Sequence, residues 1–152
     1  MNKYMTSITT ISAFLMATSA QASCWSADAV TAAKVRNLDT MLMVSSLRCR
    51  NENASVMGVY SAFVNQNRGI LLQANVELQR HFHSADALDH YATLLANHYG
   101  AGAVGIDCNS IAAIAQMTHT DGGSVPALAA IAEQAGLDPM LDDSVCGSVA
   151  NR

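Results

Sequence analysis

The sequence predicts an all-α protein, a single-domain antiparallel helical bundle of about five helices held by two disulfides. Apolar residues recur at three- and four-residue steps over long segments, which is the period of a helix that packs on one side. The chain is rich in alanine and has few aromatic residues and only two prolines, a composition that favours helices over a β-sandwich. Its four cysteines are an even number, which in an exported chain implies two disulfides.

Residues 1–22 are predicted to be a secretory signal peptide, and residues 23–152 are predicted to form the helical domain. Lys3 supplies a weakly positive start, and the apolar run that follows is too short to span a membrane. The segment ends in the triplet AQA, which has the small-x-small pattern of a cleavage site. The expected location is therefore periplasmic or secreted.

Two alternatives to a cleaved secretory signal are an ordinary N-terminal helix and a lipoprotein signal that would attach lipid to Cys24. Against lipidation, Gln21 stands three residues before the cysteine, where such signals normally carry leucine. Lipidation would also consume one cysteine and leave an odd number for disulfides.

Charge argues against a nucleic-acid partner, and hydropathy argues against a transmembrane span. Without residues 1–22, seven basic residues stand against twelve acidic ones, and no basic run is present. Such a chain is a poor nucleic-acid binder. No later segment holds 18 consecutive apolar residues, so no transmembrane span is expected.

The first helix, predicted over 28–50, organises the rest of the chain. Ser26 is its expected N-cap, and its apolar stripe comprises Val30, Lys34, Leu38, Met41, Leu42, Ser45 and Cys49. Because 41–44 is apolar all round, the middle of the helix is expected to be buried on more than one side. A helix of this length is roughly 35 Å long, whereas the Cα atoms of a disulfide lie within about 7 Å. Cys24 and Cys49, one at each end, therefore cannot bond to each other.

Four more periodic segments follow, each preceded by a capping residue. The expected caps are Asn53, Ser84, Asp107 or Asn109, and Ser124. The predicted helices are 54–81, 85–99, 110–118 and 125–135, and the tail from Leu137 is expected to be irregular. Gly58 and Gly69 fall inside the second helix, where the simplest interpretation is that they allow close helix packing.

Alternating helix directions predict the disulfide pairing. Short connections make successive helices antiparallel, so the third helix returns toward the Cys49 end and delivers Cys108 there. The fourth helix runs back, and the remainder of the chain ends near Cys24. The predicted bridges are therefore Cys49–Cys108 and Cys24–Cys146.

Histidines are the best candidates for a metal site, although no cofactor is otherwise expected. His83, Asp86 and His90 would share one face if the third helix began early, and His81 and His98 are near in sequence. Histidine and carboxylate on one face can bind zinc or copper. Ser84 as N-cap would instead leave His83 outside the helix. No catalytic residues are predicted, because no paired carboxylates or nucleophile-elbow pattern are present.

Several short motifs resemble a group of small exported bacterial proteins of unknown function. The motifs are Cys24-Trp25, the run TMLMVSSLRCR, the pair Asn67-Arg68, and HYATLLANHYG followed by Cys108. The similarity would span most of residues 23–152. The resemblance implies a disulfide-bonded helical exported domain, and it carries over no activity and no catalytic residues.

These observations favour a non-enzymatic periplasmic or secreted protein that binds another cell-envelope protein or a small ligand. One alternative is a metal-dependent or hydrolytic enzyme that uses the 81–98 region. Another is a periplasmic stress chaperone.

Overall fold

The computed structural model describes residues 24–121 and 123–147, so the expected signal peptide lies outside the described residues. These residues form five helices and no strand, and the all-α prediction is confirmed. The helices are α1 (Ala27–Cys49), α2 (Ser55–Phe82), α3 (Ala85–Gly100), α4 (Cys108–Thr120) and α5 (Val125–Gln134).

Helix α1 lies at the centre of the bundle and contacts each of the other four helices. Its buried residues lie on nearly every side, so the single stripe predicted from its sequence was too narrow. The additional buried positions are mostly small or polar, namely Ala29, Ala32, Ala33, Val35, Asn37, Thr40 and Ser46. The middle of α1 is buried on more than one side, as expected, although Met43 within it is 38% exposed.

Serine and aspartate caps set most of the helix starts. The Oγ atoms of Ser26, Ser84 and Ser124 each accept a hydrogen bond from the backbone N–H three residues later. Asp107 caps α4 in the same way, at 2.7 Å from the N–H of Ser110. Each cap satisfies one of the backbone donors that a helix leaves free at its start. Because Asp107 takes this role, α4 begins at Cys108, two residues before the predicted start.

The start of α2 differs from the prediction by one residue. The N-cap is Ala54, which has no side-chain capping bond, and not Asn53. The Asn53 Oδ1 atom nevertheless accepts hydrogen bonds from the N–H and the hydroxyl of Ser55, at 3.1 and 2.6 Å. Asn53 therefore stabilises the same turn from one position earlier.

Gly58 and Gly69 do not mediate close helix packing, and that interpretation was wrong. A Cβ atom built at either glycine meets no atom of a neighbouring element within 4 Å. Both residues are exposed on α2. Contacts with neighbouring helices therefore do not explain why α2 has a glycine at these two positions.

Two disulfides connect the ends of α1 to later parts of the chain, in the pairing expected from the helix directions. Cys24 bonds Cys146 and Cys49 bonds Cys108, with Cα–Cα distances of 5.0 and 5.5 Å. The tail also pairs with the residue before α1 through its backbone: the Trp25 N–H donates to Ser144 O, and the Cys146 N–H donates to Trp25 O. Both the start and the end of α1 are thus held by covalent bonds.

Removal of the disulfides tests this arrangement. The Cys24–Cys146 bridge spans 122 residues and the Cys49–Cys108 bridge spans 59, so the first restricts the unfolded chain more. We expect replacement of either pair by alanine to lower the free energy of unfolding by about 2–4 kcal/mol, with the longer loop costing about 0.6 kcal/mol more. Guanidinium unfolding of the two double variants measures both values. If the free energy of unfolding is unchanged in both double variants, this account is contradicted.

Alanine at the two glycines tests the absence of packing constraints. Because alanine has the higher helix propensity and each site has room for a methyl group, Gly58→Ala and Gly69→Ala should each raise the free energy of unfolding by about 0.5–1 kcal/mol. Urea unfolding monitored by circular dichroism measures the change. Destabilisation at either site would show that the glycine has a packing role after all.

Candidate functional site

A groove of about 620 Å³ lies between the start of α1, the C-terminal half of α2 and the start of α5. Small residues account for its presence. Ala32 of α1 and Ala74 of α2 are buried and line it, while Gly69 contributes bare backbone. Because these positions carry one side-chain carbon or none, the facing helices leave open space between them.

The groove is largely apolar, with a few charged residues. Leu72 lines it and is 63% exposed, so much of this apolar side chain is accessible from the groove side of α2. Val76 of α2 and Val125 and Pro126 of α5 extend the apolar surface.

Three charged side chains also line the groove: Asp28, Glu77 and Arg80. Arg80 Nη1 lies 2.8 Å from Glu77 Oε2, so these two form an ion pair one turn apart on α2. Asp28 lies in the first turn of α1, where a negative charge suits the helix dipole.

A second cavity, of about 190 Å³, adjoins the Cys49–Cys108 disulfide. The Sγ atom of Cys108 lies 3.4 Å from Glu52 Oε2, and Arg48 Nη1 donates to Gly100 O at 2.6 Å. This volume is below the usual range of 300–1,000 Å³ for small-molecule pockets, so the larger groove is the better candidate.

The structure does not bring the candidate metal ligands together. Ser84 caps α3, so His83 stays outside that helix, at the end of α2, with a left-handed backbone (φ 53°). Asp86 and His90 are exposed on α3, and the His98 ring packs edge-on against Tyr99. Among residues 24–121 and 123–147, no three His, Cys, Asp or Glu side chains are placed to hold a metal ion. The geometry therefore gives no support to the proposed zinc or copper site.

His81 instead belongs to an aromatic cluster around Trp25. Its ring stacks on the fully buried indole at a centroid distance of 3.8 Å, and Phe82 and Tyr91 pack against the same indole. The indole N–H donates to Asp142 Oδ1 at 3.0 Å. Burial lowers the pKa of His81, while the charges of Asp142, Asp143 and Glu77 act in the opposite direction and that of His83 acts in the same one. Trp25 could not be found by periodicity, because it precedes the first helix.

Buried polar groups of α1 hold the tail and α3 in place. Asn37 is fully buried; its amide donates to Asp138 O at 2.7 Å, and its Oδ1 accepts from the Tyr99 hydroxyl at 2.7 Å. The Tyr91 hydroxyl donates to Pro139 O at 2.7 Å. The polar groups of Asn37, Tyr91 and Tyr99 thus have hydrogen-bond partners within the bundle, which indicates that these side chains have a structural role.

A second set of polar side chains joins α1 to α2. The Tyr60 hydroxyl donates to Asp39 Oδ1 at 3.3 Å, and Arg36 lies 3.7 Å from the same carboxylate. Burial raises the pKa of Asp39, and the charge of Arg36 and the bond from Tyr60 partly offset this. These three residues line neither the groove nor the cavity beside the Cys49–Cys108 disulfide, and their contacts with one another indicate a structural role.

Comparison with protein-family models, with curated proteins and with solved structures finds no match to this chain. In the part of the chain that the structure describes, no helix has the length and apolar character needed to cross a membrane. The candidate function therefore depends on the groove itself.

The stack of His81 on Trp25 predicts a pH dependence of stability. Burial holds the pKa of His81 in the folded chain below its ordinary value of 6.5, so near that pH the unfolded chain binds more protons. The free energy of unfolding should consequently fall as pH falls through about 6.5, and His81→Phe should reduce that decrease. Guanidinium unfolding at a series of pH values, followed by the fluorescence of the chain's one tryptophan, measures the slope.

His90→Phe is the control for this experiment, because His90 is exposed on α3 and outside the aromatic cluster. It should leave the pH slope as it is in the parent chain. Equal slopes in the parent and both variants would show that His81 does not contribute.

Proposed function

We propose that this chain is an exported, non-enzymatic helical protein that binds a small ligand in the groove between α1, α2 and α5. The pattern of residues 1–22 supports export, and two disulfides are typical of proteins in oxidising compartments. The groove's volume of about 620 Å³ falls within the range of small-molecule pockets.

Gly69 is the observation that carries this proposal. A glycine inside a helix costs about 1 kcal/mol relative to alanine, and no neighbouring element requires one at this position. Gly69 lines the groove, where the absence of a side chain leaves room for a ligand against the backbone of α2.

Leu72 supports the same conclusion. Its side chain lies one turn beyond Gly69 and is 63% exposed at the groove. A ligand with an apolar body would cover this side chain and remove its surface from water, which is favourable at about 25 cal/mol per Å².

A protein partner is the second candidate. Met43 and Leu47 lie four residues apart, on one face of α1, and are 38% and 51% exposed. Two exposed apolar side chains on one face of the central helix would suit contact with another cell-envelope protein.

Filling the groove tests the proposed function. The probe is N-phenyl-1-naphthylamine, an uncharged apolar dye whose fluorescence rises in apolar surroundings. We expect the parent chain to bind it at one site, and Gly69→Met to weaken binding at least tenfold, because the new side chain would occupy the groove. Fluorescence titration gives the affinity, and amide shifts in an NMR titration locate the probe.

Gly58→Met is the matched control, because Gly58 lies on the same helix, is equally free of neighbours and does not line the groove. This variant should bind the dye as the parent chain does. Equal effects of the two substitutions, or no binding by the parent chain, would refute ligand binding in the groove.

A further inference from the structure

The charges around the groove indicate the chemistry of its ligand, and this inference rests on the proposed binding function. Of the three charged side chains, Glu77 and Arg80 are paired with each other. Asp28 forms no ion pair with the other residues that the structure describes. Among the described residues, one negative charge at the groove therefore has no ion-pair partner.

Asp28 lines the groove from α1. It shares a face of α1 with Thr31 and Ala32, which also line the groove, because residues three and four apart lie on the same side of a helix. On α2, the lining runs from Gly69 to Arg80, a distance of about 17 Å along the helix axis. The groove thus has the length for an elongated ligand with one polar end.

The structure offers little that would bind an anion here. Arg80, the one cationic side chain lining the groove as described, already donates to Glu77. The start of α5 also has few free donors: Pro126 has no backbone N–H, and the N–H of Ala127 donates to Ser124 Oγ. An anionic group would furthermore be placed near two carboxylates.

We propose that the groove takes an amphiphile with one positive charge, such as an alkyl ammonium compound. Its aliphatic body lies against Leu72, Val76 and Pro126, and its cation lies beside the Asp28 carboxylate. Because this carboxylate is exposed, the charge adds only modestly to affinity. We expect a preference of roughly two- to fivefold over an uncharged ligand of equal length, which weakens as salt is added.

Three ligands with the same eight-carbon chain test this proposal: octylammonium, 1-octanol and octanoate. NMR titrations of the disulfide-bonded chain at low salt and pH 7, followed at the amide of Gly69, give the three affinities. The expected order is octylammonium first, 1-octanol second and octanoate last. Asp28→Asn should make octylammonium bind no better than 1-octanol.

Asp86→Asn is the matched control, since Asp86 stands two residues after a serine N-cap, as Asp28 does, but lies on α3 away from the groove. It should leave the order of affinities unchanged. If 1-octanol binds at Gly69 but the order is flat or reversed, the charge preference is overturned and the binding function stands. If none of the three ligands shifts the groove amides, the binding function is overturned as well.

Discussion

The fold depends on the burial of α1 on nearly all of its sides. A helix with a single apolar face needs only one or two neighbours, whereas α1 buries twelve of its 23 residues and contacts all four other helices. Many of the buried side chains are alanine, serine and threonine, which let neighbouring helices approach closely. The large buried side chains come mostly from the neighbouring helices, among them Phe63, Leu78 and Leu95, and the disulfides at the ends of α1 add to the stability of this core.

The polar side chains of α1 determine where its neighbours attach. A fully buried asparagine needs hydrogen-bond partners, and Asn37 obtains them from α3 and from the tail. The tail has no helical pattern of its own, yet bonds to Asn37, Tyr91, Trp25 and Cys24 hold it against the bundle. Specific polar bonds thus order a segment that apolar packing alone would not.

Local patterns allowed most of the helices and the pairing of the cysteines to be predicted from sequence. Apolar period and capping residues are local properties, and the lengths of the helices then decide which cysteines meet. The failures involve information from distant parts of the chain. Trp25 is buried because the tail and the end of α2 cover it, and nothing in its immediate sequence indicates this. The groove itself depends on small residues of α1 and α2 that face each other only after folding. The candidate histidine ligands lie apart for a local reason, because Ser84 caps α3 and leaves His83 outside that helix.

The same property of α1 that organises the bundle also accounts for the groove. Small residues where α1 and α2 meet can allow the two helices to approach closely. At Gly69 they do not, because a Cβ atom built there meets no atom of a neighbouring element within 4 Å. A larger side chain at this position would fit without strain and would strengthen α2. Stability alone therefore gives no reason for a glycine here, whereas an open surface for a ligand does. Gly58 sets the limit of this argument, since a Cβ atom there is equally free of contacts although Gly58 does not line the groove. The glycine becomes informative only together with exposed Leu72 and the unpaired charge of Asp28, and it is this combination that distinguishes the groove from an ordinary gap between helices.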